Sequence, residues 1–64
     1  MALYRCFLFD ARLHAVARHE FDAPSDDAAL AEARARFEDA RHSHGSGIVR
    51  VELWVDSRLV WVGP

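Results

Sequence analysis

Hydrophobic positions in this chain follow two regimes, with strand-like runs at both ends and a helical stripe between them. Residues 2–9, Ala-Leu-Tyr-Arg-Cys-Phe-Leu-Phe, are aromatic and aliphatic with no breaker, which predicts a first strand. Residues 10–13 read as a turn, and His14 to Phe21 as a second strand that is weaker because it is rich in alanine. Asp22 to Pro24 connects onward, and Pro24 stops the strand. From Ser25 to Arg41 the period changes. Leu30, Ala33, Phe37 and Ala40 recur at three- and four-residue spacing, with Glu32, Arg36 and Asp39 expected on the opposite side. Ser25, Asp26 and Asp27 can cap the free amides of a first turn, and the aspartates suit the positive end of the helix dipole. Residues 42–47 read as a polar, glycine-bearing loop. In Ile48 to Val55, Val49, Val51, Leu53 and Val55 alternate with Arg50, Glu52 and Trp54, the clearest strand signal in the chain. Asp56 and Ser57 make a short turn before a last strand, Arg58 to Val62.

The order ββαββ predicts an α+β fold in a single domain, residues 1–64. Two hairpins flank one helix, so the third strand pairs antiparallel with the first. The expected sheet is four-stranded and antiparallel, in order 2-1-3-4, with the helix packed on one face. A four-residue first turn sets Phe9 opposite His14 and Cys6 opposite Ala17. A two-residue second turn sets Leu53 opposite Val60 and Val51 opposite Val62. The helix-side face then holds Tyr4, Cys6, Leu8, Ala15, Ala17, Phe21, Val49, Val51, Leu53, Val60 and Val62, nearly all apolar, as a correct register requires. The other face holds Leu3, Arg5, Phe7, Phe9, His14, Val16, Arg18, Arg50, Glu52, Trp54, Leu59 and Trp61. One helix cannot cover both faces. An uncovered apolar face marks an interaction surface, and its expected members are Phe7, Phe9, Val16, Trp54, Leu59, Trp61, Arg5 and Arg50.

Length sharpens that expectation. A chain of 7.3 kDa exposes about 10,600 Å² unfolded and about 4,200 Å² folded. Burial of the apolar part of the difference stabilises by roughly 93 kcal/mol at about 25 cal/mol/Å². Ordering 64 residues costs roughly 96 kcal/mol. The two cancel, and a partner subunit is the natural way to bury more, so a homodimer is expected. An apolar content of 52% is high for so short a chain. A net charge of −2 argues against a general polyanion binder. No apolar run is long enough to span a membrane, and no signal peptide is read. One cysteine forms no internal disulfide, which fits a reducing, cytoplasmic setting.

Candidate chemistry is sparse. His42-Ser43-His44 is the most metal-like feature, but no third ligand stands at a useful spacing, so these are read as solvated loop histidines. His19 is expected at the helix-side margin near Tyr4, as a partly buried histidine with a hydrogen-bond partner. Cys6 reads as a small core residue with no basic neighbour on its face. No phosphate loop, catalytic triad or paired-carboxylate pattern is present, so no enzyme activity, cofactor or metal is expected.

Leu3-Tyr4-Arg5 opening a strand that ends in Asp10, Phe21 before an acidic cluster and an Ala-Leu-Ala helix, and Val51-Glu52-Leu53-Trp54 followed by a turn and Arg58-Leu59-Val60 together resemble a group of short, uncharacterised bacterial ββαββ proteins. Those proteins usually carry a glycine in the first turn, near where Leu13 stands here. The resemblance implies the fold and no activity. A hairpin followed by an acidic alanine-rich helix is also similar to the antitoxin half of some toxin–antitoxin pairs. The functional expectation is a non-enzymatic module that self-associates or binds a protein partner through the aromatic face. The alternatives are an antitoxin-like regulatory module and single-stranded nucleic-acid binding by Phe7, Phe9, Trp54 and the arginines of the same face.

Overall fold

The computed structural model describes residues 1–44 and 47–64, with His44 described in its backbone alone. The elements are β1 (Ala2–Asp10), β2 (Ala15–Ala23), α1 (Asp26–His44), β3 (Ile48–Val55) and β4 (Arg58–Gly63). All strand pairs are antiparallel and the sheet order is β2-β1-β3-β4, with α1 across one face. Fold class and topology are those the hydrophobic pattern predicts.

The helix begins where its acceptors stand. The Ala28 amide donates to Ser25 Oγ at 3.2 Å, and Asp26 and Asp27 occupy the first turn. Ala29 and Ala33 are fully buried, and their short side chains let α1 sit close to the sheet, chiefly over β3. Leu8, Leu53, Val51 and Cys6 are the largest fully buried side chains beneath it. Three elements meet at the helix start. The Tyr4 hydroxyl donates to Asp26 Oδ1 at 2.6 Å, and Arg58 grips both Asp26 oxygens, at 3.0 and 3.3 Å. This ties α1 to β1 and to the start of β4. The total accessible surface, 4129 Å², is what size scaling gives for a compact monomer of this mass.

Register departs from expectation at three bulges. In the first hairpin the Leu13 amide donates to the Asp10 carbonyl at 2.9 Å, and the Asp10 amide to the His14 carbonyl at 3.1 Å. Leu13 takes a left-handed φ of 63°. Phe9 therefore faces Ala15, not His14, and a bulge at Val16 then sets Leu8 opposite Ala17 and Cys6 opposite His19. Two one-residue shifts add to two, so β2 beyond the bulge keeps the expected face, whereas Ala15 moves to the uncovered one. His14 lies in the turn before β2, exposed. In β3 the register shifts at Val49. Ile48 is buried and Val49 is 42% exposed, contrary to its expected place under the helix. In β4 the shift falls at Val60. One shift is odd, so Leu53 faces Trp61 and Val51 faces Gly63. Trp61 therefore packs beneath the helix, with Arg34 over its ring at 5.4 Å, and Val62 takes the uncovered face. The expected positions of Trp61 and Val62 are thus exchanged.

Two further differences concern the helix. It runs to His44, so His42 and Ser43 lie in its last turn and not in a loop. Of Gly45 and Gly47, expected to end it, Gly45 lies outside the described residues and Gly47 stands directly before β3. Arg36 does not point away from the sheet. Its guanidinium lies 5.3 Å over the Phe21 ring and reaches His19.

Two predictions follow from this geometry. Leu13→Gly removes a side chain from a left-handed position, where it costs roughly 1–2 kcal/mol, and partly offsets that gain through unfolded-chain entropy. A net stabilisation of about 1 kcal/mol is expected in urea unfolding. The Arg58 ion pair and the Tyr4 hydroxyl hold the Asp26 carboxyl below the usual aspartate range, and the bond to Asp26 holds the Tyr4 hydroxyl above its usual value of 10.0. Asp26 thus contributes stability that is present above the ordinary aspartate value of 3.8 and lost as pH falls through its depressed one. Tyr4 contributes stability below pH 10.0 that is lost as pH rises through its raised value. Asp26→Asn is expected to lower the melting temperature at neutral pH and to flatten its dependence at both extremes, as followed by circular dichroism.

Candidate interaction surface

The face of the sheet opposite α1 is built by alternation. β1 contributes Leu3, Arg5, Phe7 and Phe9. β2 adds Ala15, Arg18, Glu20 and Asp22, β3 adds Arg50, Glu52 and Trp54, and β4 adds Leu59 and Val62. Pairing arranges these in rows across the strands. One row runs Arg18, Phe7, Glu52 and Val62, and the next Glu20, Arg5, Trp54 and Leu59. Phe7, Phe9 and Trp54 are half-buried by their neighbours, and Leu3, Leu59 and Val62 are exposed. Val16, at the β2 bulge, is also exposed.

Of the residues the sequence suggests for this surface, Phe7, Phe9, Trp54, Leu59, Arg5 and Arg50 come together on one face, with Val16 at its margin. Trp61 does not join them. Leu3, Val62 and the three carboxylates complete the face. Val62 was hidden from the alternation pattern by the β4 bulge.

The polar groups of the face are organised by Glu52, whose side chain is only 19% exposed. Arg50 Nε donates to one of its oxygens at 3.0 Å and Trp54 Nε1 to the other at 2.9 Å. Positions 50, 52 and 54 point the same way on a strand, so this cluster is a consequence of strand period alone. Arg5 Nε donates to Glu20 Oε2 across strands at 3.3 Å. These bonds orient the Trp54 indole and satisfy both Glu52 oxygens, leaving a face of fixed aromatic edges and neutralised charge.

The helix side of the sheet holds Cys6 and His19. Cys6 faces His19 across the β1–β2 pair, and Arg36 lies near enough to favour its thiolate, so Cys6 does have basic neighbours on its face. Burial outweighs them and pushes the thiol up to about 11, which keeps it protonated and unreactive. Among the described residues no three metal-ligating side chains cluster, and no helix is long and apolar enough to cross a membrane. Of the His42–His44 pair, His42 is exposed and the His44 side chain lies outside the described residues. Comparison with family models, with curated proteins and with solved structures finds no match to this chain.

Proposed function

We propose that the protein is a non-enzymatic module that acts as a homodimer, formed by packing two uncovered sheet faces together. The observation that carries this reading is the composition of that face. Six large apolar side chains, Leu3, Phe7, Phe9, Trp54, Leu59 and Val62, stand among three arginines and three carboxylates. A two-fold interface brings a surface against its own copy, so it favours a face whose charges sum to zero and can pair with their own mirror set. Aromatic and arginine side chains are the types that concentrate binding energy at interface centres. The molecule measures 32 × 20 × 15 Å, so its broad face has about the footprint of the roughly 800 Å² that a standard interface takes from each partner.

Joining two chains edge to edge is the less favoured geometry. Both free edge strands carry a bulge, at Val16 in β2 and at Val60 in β4, and bulged edges resist continuation of the sheet. Nucleic-acid binding by the same face is less favoured too, because Arg5 and Arg50 are already paired with Glu20 and Glu52. We read the module as cytoplasmic, since a single buried thiol suits a reducing compartment.

Sedimentation or light scattering at micromolar concentration tests the dimer. Trp54→Ala removes a central aromatic and is expected to weaken self-association about 30-fold, the equivalent of a 2 kcal/mol hot spot. An edge-joined dimer would tolerate that substitution. A folded wild-type protein that stays monomeric at about 100 μM, far above the dissociation constant expected of a stable interface, would sink the reading.

A further inference from the structure

A second feature lies on the helix side of the sheet, away from the proposed dimer face. α1 leans toward β3, and the flank between α1 and the edge strand β2 is left open as a cleft of about 250 Å³. Its floor is Leu8, Ala17 and Ala40, and its rim is His19 together with Arg36, Asp39 and Ser43. The last three stand at i, i+3 and i+7, so they share one side of the helix. Alanine at 17 and 40 creates the space, because a larger side chain at either position would fill it.

Arg36 has an incompletely satisfied setting. Its Nη1 lies 3.3 Å from His19 Nδ1. Its Nε is out of reach of water and makes no hydrogen bond, with Glu32 Oε2 at 3.6 Å, an ion-pair distance too long for one. Arginine only donates, so in this contact the imidazole nitrogen is the accepting partner. Asp39 makes no ion pair among the described residues, although it stands three residues from Arg36. The enclosed Nε meets no ligand, so the cleft sets the outer guanidinium nitrogens of Arg36 at one place and the Asp39 carboxylate at another, over an apolar floor.

We propose that this cleft binds a small zwitterion of the α-amino-acid class. The carboxylate lies against Arg36 and His19, the ammonium against Asp39, and a short side chain on the Leu8–Ala17–Ala40 floor. Each half of the charge pattern rejects a simpler ligand. A bare carboxylate meets repulsion from Asp39, and a bare cation meets Arg36. The volume lies just below the roughly 300–1,000 Å³ of pockets that hold drug-sized molecules, which suits a small ligand.

Titration of ¹⁵N-labelled protein with L-alanine, followed by amide chemical shifts, tests the site, with propionate and ethylamine as probes of one charge each. Saturable shifts are expected at Ala17, His19, Asp39 and Ala40 with a Kd of about 1 mM, and binding of either single-charge probe is expected to be about tenfold weaker. Asp39→Asn is expected to weaken L-alanine about tenfold without weakening propionate. Asp39 is exposed, so the variant keeps its fold, which the rest of the spectrum reports. Absence of saturable shifts at about 50 times the expected Kd, or propionate binding as tightly as L-alanine, would overturn the proposal. The cleft and the dimer face lie on opposite sides of the sheet, so the same titration on Trp54→Ala separates failure of one reading from failure of the other.

Discussion

A single helix has to cover a four-stranded sheet, and the rest of the molecule is arranged around that shortage. A helix with its side chains is about 10–12 Å across, whereas four strands at about 4.8 Å spacing are wider. α1 resolves the mismatch by lying close over β3 on Ala29 and Ala33, which are fully buried. Close approach seals the core around Leu8, Val51 and Leu53. It also leaves the β2 flank thinly covered, where Arg36 bridges the gap by lying on Phe21 and His19. The far face is not covered at all.

The two sides of the sheet meet their polar requirements in different ways. Beneath the helix the core holds no buried charged side chain among the described residues, and the tie between layers is made at the edge by Tyr4, Asp26 and Arg58. On the far face the charges are interleaved with aromatic side chains and paired locally, Arg50 with Glu52 and Arg5 with Glu20. A face arranged in that way holds charges in pairs while keeping aromatic groups oriented. The pairing of Glu52 with Trp54 matters most, since it fixes an indole that would otherwise sample several rotamers.

Both hairpin turns bear on register. Leu13 and Asp56 hold positive φ values of 63° and 53°. Aspartate tolerates that region because its short polar side chain bonds locally, and the two-residue hairpin at Asp56 requires it. Leucine has no such compensation. Asp10 provides it instead, its carboxylate accepting from the Arg12 and His14 amides at 2.9 Å each and held below the usual carboxylate range chiefly by the His14 amide. The first turn is therefore built without glycine, by an aspartate that organises the loop around it.

The sequence alone determined the element order, the antiparallel topology and the membership of β1 in both faces. Each rests on a local signal: a period of two or of three to four, a proline, a capping serine. It also pointed to the uncovered face, because one narrow stripe with Leu30 and Phe37 cannot cover two sides of a sheet. What it could not determine was the parity of each strand beyond a bulge. A bulge adds one unpaired residue and leaves no mark in hydrophobicity when that residue is itself apolar, as at Val16, Val49 and Val60. One such residue in β4 turned Trp61 under the helix and Val62 outward, while two shifts between β1 and β2 cancelled and left Phe21 where alternation set it. The position of Arg36 was illegible for a related reason. A helix wheel ranks it as solvent-facing, and only the nearby Phe21 ring and the space left by Ala17 make the inward side its lower-energy place.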